Sequence, residues 1–434
     1  MGSENVLGLT ATNGAASEDG RVPPRADLAA YGHGGFVTDY EARIDMNALR
    51  EERLARARAA LAASDFDALL TWKDENVRFL TGLRAQLIQG KTALLNGCLL
   101  TEDHLVLFVS GGEIDRVRLV MPWIEEVHAV PIMEARGLVA GAVAEVIAPA
   151  LGRLGLASGS LGLDELSYAQ VLELGRALPE LALGDGDALM QGVRAVKSDA
   201  ELAVMQEASA IAEAVTASAI AAIGPGVREY DVVAEAMHTL YRLGGEMAHL
   251  ATPFVASGEH MAPPNRFSSD KLIREGDLVF IDIGAMWNGY FSDMGRTVIC
   301  GEPSRRQQEV FTAVHASLAA ATEAMRPGNT NDDVAAAVRT AGGRYGLDDS
   351  FLSLFIGHGV GIGANEPPYV GEDLPGAETV ELKVGMTMAI EPLIWLPGER
   401  GGAGVRLEDT VLVAEGGGVA LTRTSFDRAL LLEE

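Results

Sequence analysis

Cysteine is scarce. The 434 residues hold two, Cys98 and Cys300, far apart along the chain. Such a pair makes neither a disulfide framework nor a cysteine-based zinc site. Basic charge is scarce as well: 34 Lys and Arg stand against 61 Asp and Glu, a formal net charge of −27. That balance repels phosphate backbones, which excludes nucleic-acid or anionic-membrane binding through a broad basic surface. No uninterrupted apolar run reaches the roughly 18 residues that cross a bilayer. The opening MGSENVLGLT shows no basic region followed by an apolar stretch, so it does not read as a signal peptide. Val6 stands where a myristoylation site requires Ser or Thr. The expectation is a cytoplasmic protein with neither a nucleic-acid nor a membrane partner. What is present is globular in kind: 48% hydrophobic and 22% charged residues, enough apolar material for more than one domain.

Residues 1–25 are rich in Gly, Ser, Ala, Asn and acid, the composition of a disordered tail. Helical patterning begins near Asn47, with Leu49, Leu54, Ala57 and Leu61 on one face. DFDALLTW and HLVLFVSGG read as strands, and LVAGAVAEVIAPALGRLG reads as a helix. This alternation points to an α/β domain over 26–190. A long helix then starts at the capping box of Ser198 and Glu201 and runs to Ile223, where Gly224-Pro225-Gly226 stops it. Another runs from near Arg228 to Gly244-Gly245. A helix over about 304–325 and two sets of strand pairs give the region 191–434 a doubled look.

The most informative segment is LVFIDIGAMWNGYFSDMGRT, residues 278–297. Two apolar runs flank Asn288-Gly289, a strong two-residue hairpin signal. With that turn, Trp287 faces Tyr290, Ala285 faces Ser292, and Asp282 and Asp293 become diagonal neighbours on one face, about 7–8 Å apart. Asp is disfavoured inside strands, and a buried carboxylate needs compensation. From the hairpin alone, two surface carboxylates on a solvated face are the preferred reading, ahead of a metal site. Three further stretches alter that balance. FIGHGVGIG places His358 among glycines, MTMAIEPLIW ends an apolar strand on Glu391, and GVRLEDTVLV puts Arg406, Glu408 and Thr410 on one face of a third strand. Two Asp, one His and two Glu form a hard, oxygen-rich donor set suited to two divalent cations.

Taken in order, these motifs resemble those of the pita-bread metallopeptidases, which include prolidase, Xaa-Pro aminopeptidase, methionine aminopeptidase and creatinase. The matching residues are Asp282 in DIG, Asp293 in SD-x-x-RT, His358 in GHG, Glu391 in EP and Glu408 in RLED. DFDALLTWKDENVRFLTGL is similar to the creatinase-type N-terminal domain, and VRAVKSDAEL to the helix start that follows it. The resemblance runs from about residue 48 to the C-terminus. It implies an α/β chain: a creatinase-type N-terminal domain over 26–190, then a pita-bread (α+β) catalytic domain over 191–434. It also implies roles. Asp282 would chelate one cation, Asp293 and Glu408 would bridge two, and His358 and Glu391 would complete the second, with Arg406 behind the carboxylates. The cofactors would be two divalent ions, manganese first, with cobalt, iron or zinc also accommodated. The activity would be hydrolysis of a C–N bond in a small molecule or short peptide by a metal-bridging hydroxide, in a homodimer.

The sequence departs from that family at two imidazoles. Its peptidases carry one His ahead of the first Asp ligand, in a Pro-His context, and another shortly after the His ligand, before a Glu. Here those places hold Asn265, in MAPPNRF, and Asn365, followed by Glu366. An amide cannot shuttle protons near neutral pH, and losing general acid–base help costs about 10²–10⁴-fold in rate. His260, in ASGEHMAPP, and His249, in EMAHLATPF, are replacement imidazoles or structural histidines. Gly295 stands where the family often has Thr or Ser. Arg406, His260, Asn265, Asn365 and Glu366 are therefore the candidate catalytic residues beside the five ligands. The departures favour a specialised small substrate. Alternatives are a metal-dependent lyase of the dimethylsulfoniopropionate type, a creatinase- or ectoine-hydrolase-like amidohydrolase, and a non-catalytic binding protein on the same fold.

Overall fold

The computed structural model describes residues 44–85, 96–131, 135–262, 267–347, 355–371, 376 and 378–432. The expected tail, 1–25, lies outside them, as does Asn265. Among the described residues, no helix is long and apolar enough to cross a membrane.

The N-terminal part is a six-stranded mixed sheet. Its spatial order is Glu126–Val130, Leu105–Ser110, Gly97–Leu100, Ala68–Thr71, Gly159–Leu163, Leu181–Asp185. The strand Ala68–Thr71 is buried along its length, so it reads as a continuous apolar run. Asp164 holds the next turn. Its carboxylate accepts from Trp72 N at 2.6 Å, Lys73 N at 3.0 Å and Asn76 Nδ2 at 2.9 Å, which starts the helix Asp74–Thr81.

The C-terminal part is built from two helix pairs and their sheets. The helix Asp199–Ala222 begins at the expected capping box and packs on Glu229–Arg242. Arg305–Ala324 packs on a second helix, Asn331–Gly343, which the periodicity did not disclose. Its signal was local: Thr330 and Asp333 form a capping box. Both pairs are amphipathic and bury Ala, Val and Leu against the strands.

The hairpin register is as the turn dictates, with Trp287 opposite Tyr290 and Ala285 opposite Ser292. Asn288 takes φ 47° and Gly289 φ 87°, the positive values a two-residue turn demands. The ribbon then divides. Its tip, Ala285–Trp287 with Tyr290–Ser292, pairs with Met247–Ala248, while its base, Asp277–Asp282 with Gly295–Cys300, pairs with Phe254–Ser257. Asp282 and Asp293 lie at the division. A second correction concerns GVRLEDTVLV, which is two strands and not one. Ala403–Arg406 pairs with Leu393–Leu396, and Asp409–Ala414 joins a five-stranded sheet with Glu366–Val370, Gly357–Gly359, Thr387–Ile390 and Gly417–Ala420. The chain breaks there because the Glu408 main chain bonds across to Gly295, N to O at 3.0 Å and O to N at 3.2 Å.

Candidate metal centre

Asp282 ends a fully buried strand, with Gly295 opposite it. Asp293 sits two residues before Gly295, so the diagonal placement expected from the hairpin holds. Thr410 Oγ1 accepts from Asp293 N at 2.9 Å and donates to Asp293 O at 2.8 Å, fixing that backbone. His358 pairs with Ala389 in the neighbouring strand, and Glu391 follows Ile390 with its N–H bonded to Ile356 O at 2.9 Å. Glu408 arrives from the break between two strands. Four structural units thus carry five side chains to one place, all of them at most 4% exposed.

The cluster is short of positive partners. Asp282 Oδ1, Asp293 Oδ1 and Glu408 Oε2 are buried without a hydrogen bond. Arg406 serves the far side of the cluster, with Nη1 2.8 Å from Asp282 Oδ2 and Nη2 3.0 Å from Glu391 Oε2. His358 Nδ1 lies 3.0 Å from Gly359 O, which leaves Nε2 facing Asp293 Oδ2 and Glu391 Oε1, each at 3.6 Å. Burial, followed by the repulsion of Asp293, Asp282 and Glu391, drives Glu408 well above the usual carboxylate range. Burial and the charges of Asp282 and Glu391 likewise raise Asp293 to about 6, against the pull of His249 and His358. Burial also works against a charged Asp282, but His249 and Arg406 outweigh it and hold that carboxylate below its ordinary value.

Like-charged, orphaned carboxylates in a buried space are what a divalent cation satisfies. Two sets of donor atoms lie within 4.8 Å of one another: His249, Asp282 and Asp293, and Asp293, His358 and Glu408. Asp293 belongs to both. The donors present therefore fit two cations sharing one carboxylate.

The candidate residues outside this set fall in different places. His249 is the imidazole that reaches the cluster, with Nε2 3.2 Å from Asp282 Oδ1 and 3.3 Å from Asp293 Oδ1. Burial disfavours a charged His249 ring, yet Asp293 and Asp282 more than offset it and raise the group to about 9. His260 instead turns to Glu229, Nδ1 to Oε1 at 3.5 Å, on the short turn Gly258–His260. Asn365 is exposed in the loop after His358. Glu366 is buried in a clamp, with Oε2 3.1 Å from Arg194 Nε and Oε1 3.2 Å from Lys197 Nζ. Its two oxygens thus face cations from the region joining the two halves of the chain. Periodicity gave no means of separating His249 from His260. The signal was Gly284, whose N–H donates to His249 Nδ1 at 2.7 Å.

Gly295 leaves room for Glu408. A Cβ there would lie 2.9 Å from Glu408 Oε2 and 3.2 Å from the Phe280 ring. Gly295→Ala should push the Glu408 carboxylate aside and weaken metal binding by roughly 10–100-fold, the usual cost of disturbing the support of a ligand. Metal titration by calorimetry reads this directly, and unchanged affinity would show that Glu408 adjusts freely.

The model of metallopeptidase family M24 matches residues 203–415, and that of the creatinase/prolidase N-terminal domain matches 53–196. An Xaa-Pro dipeptidase of Pyrococcus furiosus is 38% identical over 245 residues, 56% of this chain and 67% of that protein. One from Pyrococcus horikoshii is 34% identical over 266 residues, 61% of this chain and 73% of the relative. The crystal structure of a dipeptidase from Pyrococcus horikoshii is similar with a TM-score of 0.73 at 27% identity, covering 86% of this chain and 99% of that one.

Proposed function

We propose that this chain, which belongs to metallopeptidase family M24, is a two-metal enzyme that cleaves a C–N bond in a dipeptide or a comparably small amide. That it is a metal-dependent hydrolase follows from the family; the two metals, the small substrate and the residue roles are our reading. The observation that carries it is Asp293, shared by two donor sets in which one buried oxygen each of Asp282, Asp293 and Glu408 has no hydrogen bond. When bound, the cations supply an acidified water as nucleophile and polarise the attacked carbonyl.

The protein's own residues orient and balance this centre. Asp282, Asp293 and Glu408 would hold one cation, and Asp293, Glu408, His358 and Glu391 the other. Arg406 spans Asp282 and Glu391, with one guanidinium nitrogen to each carboxylate. The carbonyl of Gly359 keeps the His358 proton on Nδ1, so Nε2 has a lone pair to offer. The relatives named above are Xaa-Pro dipeptidases, which makes Xaa-Pro dipeptides the first substrates to test. Asn365 provides an amide where a proton-shuttling ring stands in the peptidases this sequence resembles, and this favours a small substrate that places less demand on acid–base help. The lyase reading calls for a further Asp near the first ligand. Gly284, two residues after Asp282, has no room for one, since a Cβ there would sit 2.1 Å from Ser292 O.

The test is metal content per chain together with turnover in excess manganese. Substrates are Ala-Pro, Gly-Pro, an Xaa-Pro tripeptide, creatine, ectoine and dimethylsulfoniopropionate. About two metals per chain with hydrolysis of a dipeptide or a small amide is the expected result. Less than about half a metal per chain, or elimination from the sulfonium compound as the sole activity, would overturn the reading.

A further inference from the structure

The chain carries a net charge of −27, yet three arginines, Arg50, Arg53 and Arg78, line one cavity outside the metal centre. They stand on two helices of the N-terminal part, Met46–Ala62 and Asp74–Thr81. Trp123 lines the space as well, with Asn288 from the tip of the hairpin. The arginines are 9%, 3% and 6% exposed, and no acidic residue lines the cavity.

The three guanidinium groups are not equally partnered. Arg78 is neutralised, because Nη1 and Nη2 each lie 2.8 Å from a Glu246 oxygen. Arg50 lies 3.8 Å over the Trp123 ring, and its Nη1 donates to Asn47 Oδ1 at 2.8 Å. The Glu51 carboxylate beside it, at 3.4 Å, belongs to a side chain that is 75% exposed, so solvent screens it. Arg53 has less. Its Nη1 donates to the Tyr290 hydroxyl at 3.2 Å, a phenol that burial keeps neutral, and its Nε is buried without a hydrogen bond. Glu201 lies behind that phenol and is paired with Arg56 instead. Burial lowers the pKa of Arg50; Glu51 offsets part of this, and the charge of Arg53 adds to it. A buried cation without a counter-charge is costly, and here two of them border the same space.

We infer that this cavity is a binding site for a small oxyanion, a phosphate or carboxylate group held by Arg50 and Arg53. The space is about 40 Å³, room for a few waters or one such group. The planar fork of arginine matches the oxygens of either group. Exposed Asn47 and half-buried Trp123 leave a way in. The site also joins the two parts of the chain. A Cβ on Gly289 would collide with Arg78 Nε, so the hairpin tip is seated directly on the arginines. A bound anion removes the repulsion between Arg50 and Arg53 at this junction and stabilises the folded chain.

The test is calorimetric titration of the metal-loaded full chain with inorganic phosphate and, separately, with acetate, at fixed ionic strength in chloride. Phosphate also binds metal ions, so Arg50→Gln identifies the site; the partners of Arg50 are Asn47, Glu51 and Trp123, none of them in the metal centre. The parent should bind one anion per chain with a Kd below about 1 mM. Arg50→Gln should lose about 10–100-fold in affinity, the worth of one charge-assisted hydrogen bond, with metal content unchanged. Arg53→Lys keeps the charge, which spares the fold, but lacks the fork and Nε, and should also lose about 10-fold or more. Tighter phosphate identifies a phosphate group as the natural occupant, and tighter acetate a carboxylate. No anion binding tighter than about 10 mM in the parent, or equal affinity in the parent and both variants, overturns the inference.

Discussion

Asp293→Asn should abolish turnover and remove both metal sites together. Asp293 is the carboxylate common to the two donor sets, so no cation keeps its full shell without it. The loss should exceed the roughly 10–100-fold that supporting residues cost, and bound metal should fall below one per chain. In the parent protein, added manganese should raise the melting temperature, because a ligand of the native state stabilises it by mass action. In the variant that rise should vanish. The metal-free proteins should differ in the opposite sense. Asp293 is raised to about 6, first by burial and then by Asp282 and Glu391. A carboxylate raised in this way contributes stability below its ordinary value of 3.8 and loses it as pH climbs through about 6. Asn does not titrate. The melting temperature of the variant relative to the parent, measured in chelator, should therefore rise between pH 4 and pH 6 and then level off. A variant that keeps one tightly bound metal would show that the two sites do not share Asp293.

Glu366→Gln should be the most destabilising single change outside the metal centre. The carboxylate lies between Arg194 and Lys197, whose side chains are 1% and 2% exposed. Removing its charge takes from two buried cations the carboxylate they share, and breaking a buried pair costs about 3–5 kcal/mol. Arg194 also bonds Asn76 in the N-terminal part, so the clamp ties the start of the strand Glu366–Val370 to the N-terminal half of the chain. Urea unfolding should show a lower midpoint with an unchanged slope. Turnover of the folded, metal-saturated variant separates a clamp from an acid–base catalyst. A clamp predicts a loss within about 10-fold, whereas a catalytic carboxylate would cost about 10²–10⁴-fold.

The sequence alone determined the hairpin and its register, because Asn288-Gly289 permits one two-residue turn and side chains alternate strictly from there. It determined the starts of the helices at Ser198 and Ser304, because their capping boxes are local. The five residues proposed as ligands also stood out in the sequence. Charged residues inside apolar strands are costly, and the order of their motifs carried the family resemblance.

Only the tertiary structure decided which imidazole reaches the carboxylate cluster, which cations hold Glu366, and where GVRLEDTVLV breaks. His249 and His260 are alike by composition and spacing. What separates them is that the backbone of Gly284 comes within 2.7 Å of one, while Glu229 lies beside the other. Glu366 sits next to an Asn that occupies a family site, yet its carboxylate is claimed by residues 169 and 172 positions earlier. The strand break at Glu408 exists because Gly295, 113 residues away by its number, takes both main-chain hydrogen bonds. Local geometry follows from neighbours in the chain. Partners of buried polar groups follow from packing, and one sequence does not encode that as a pattern.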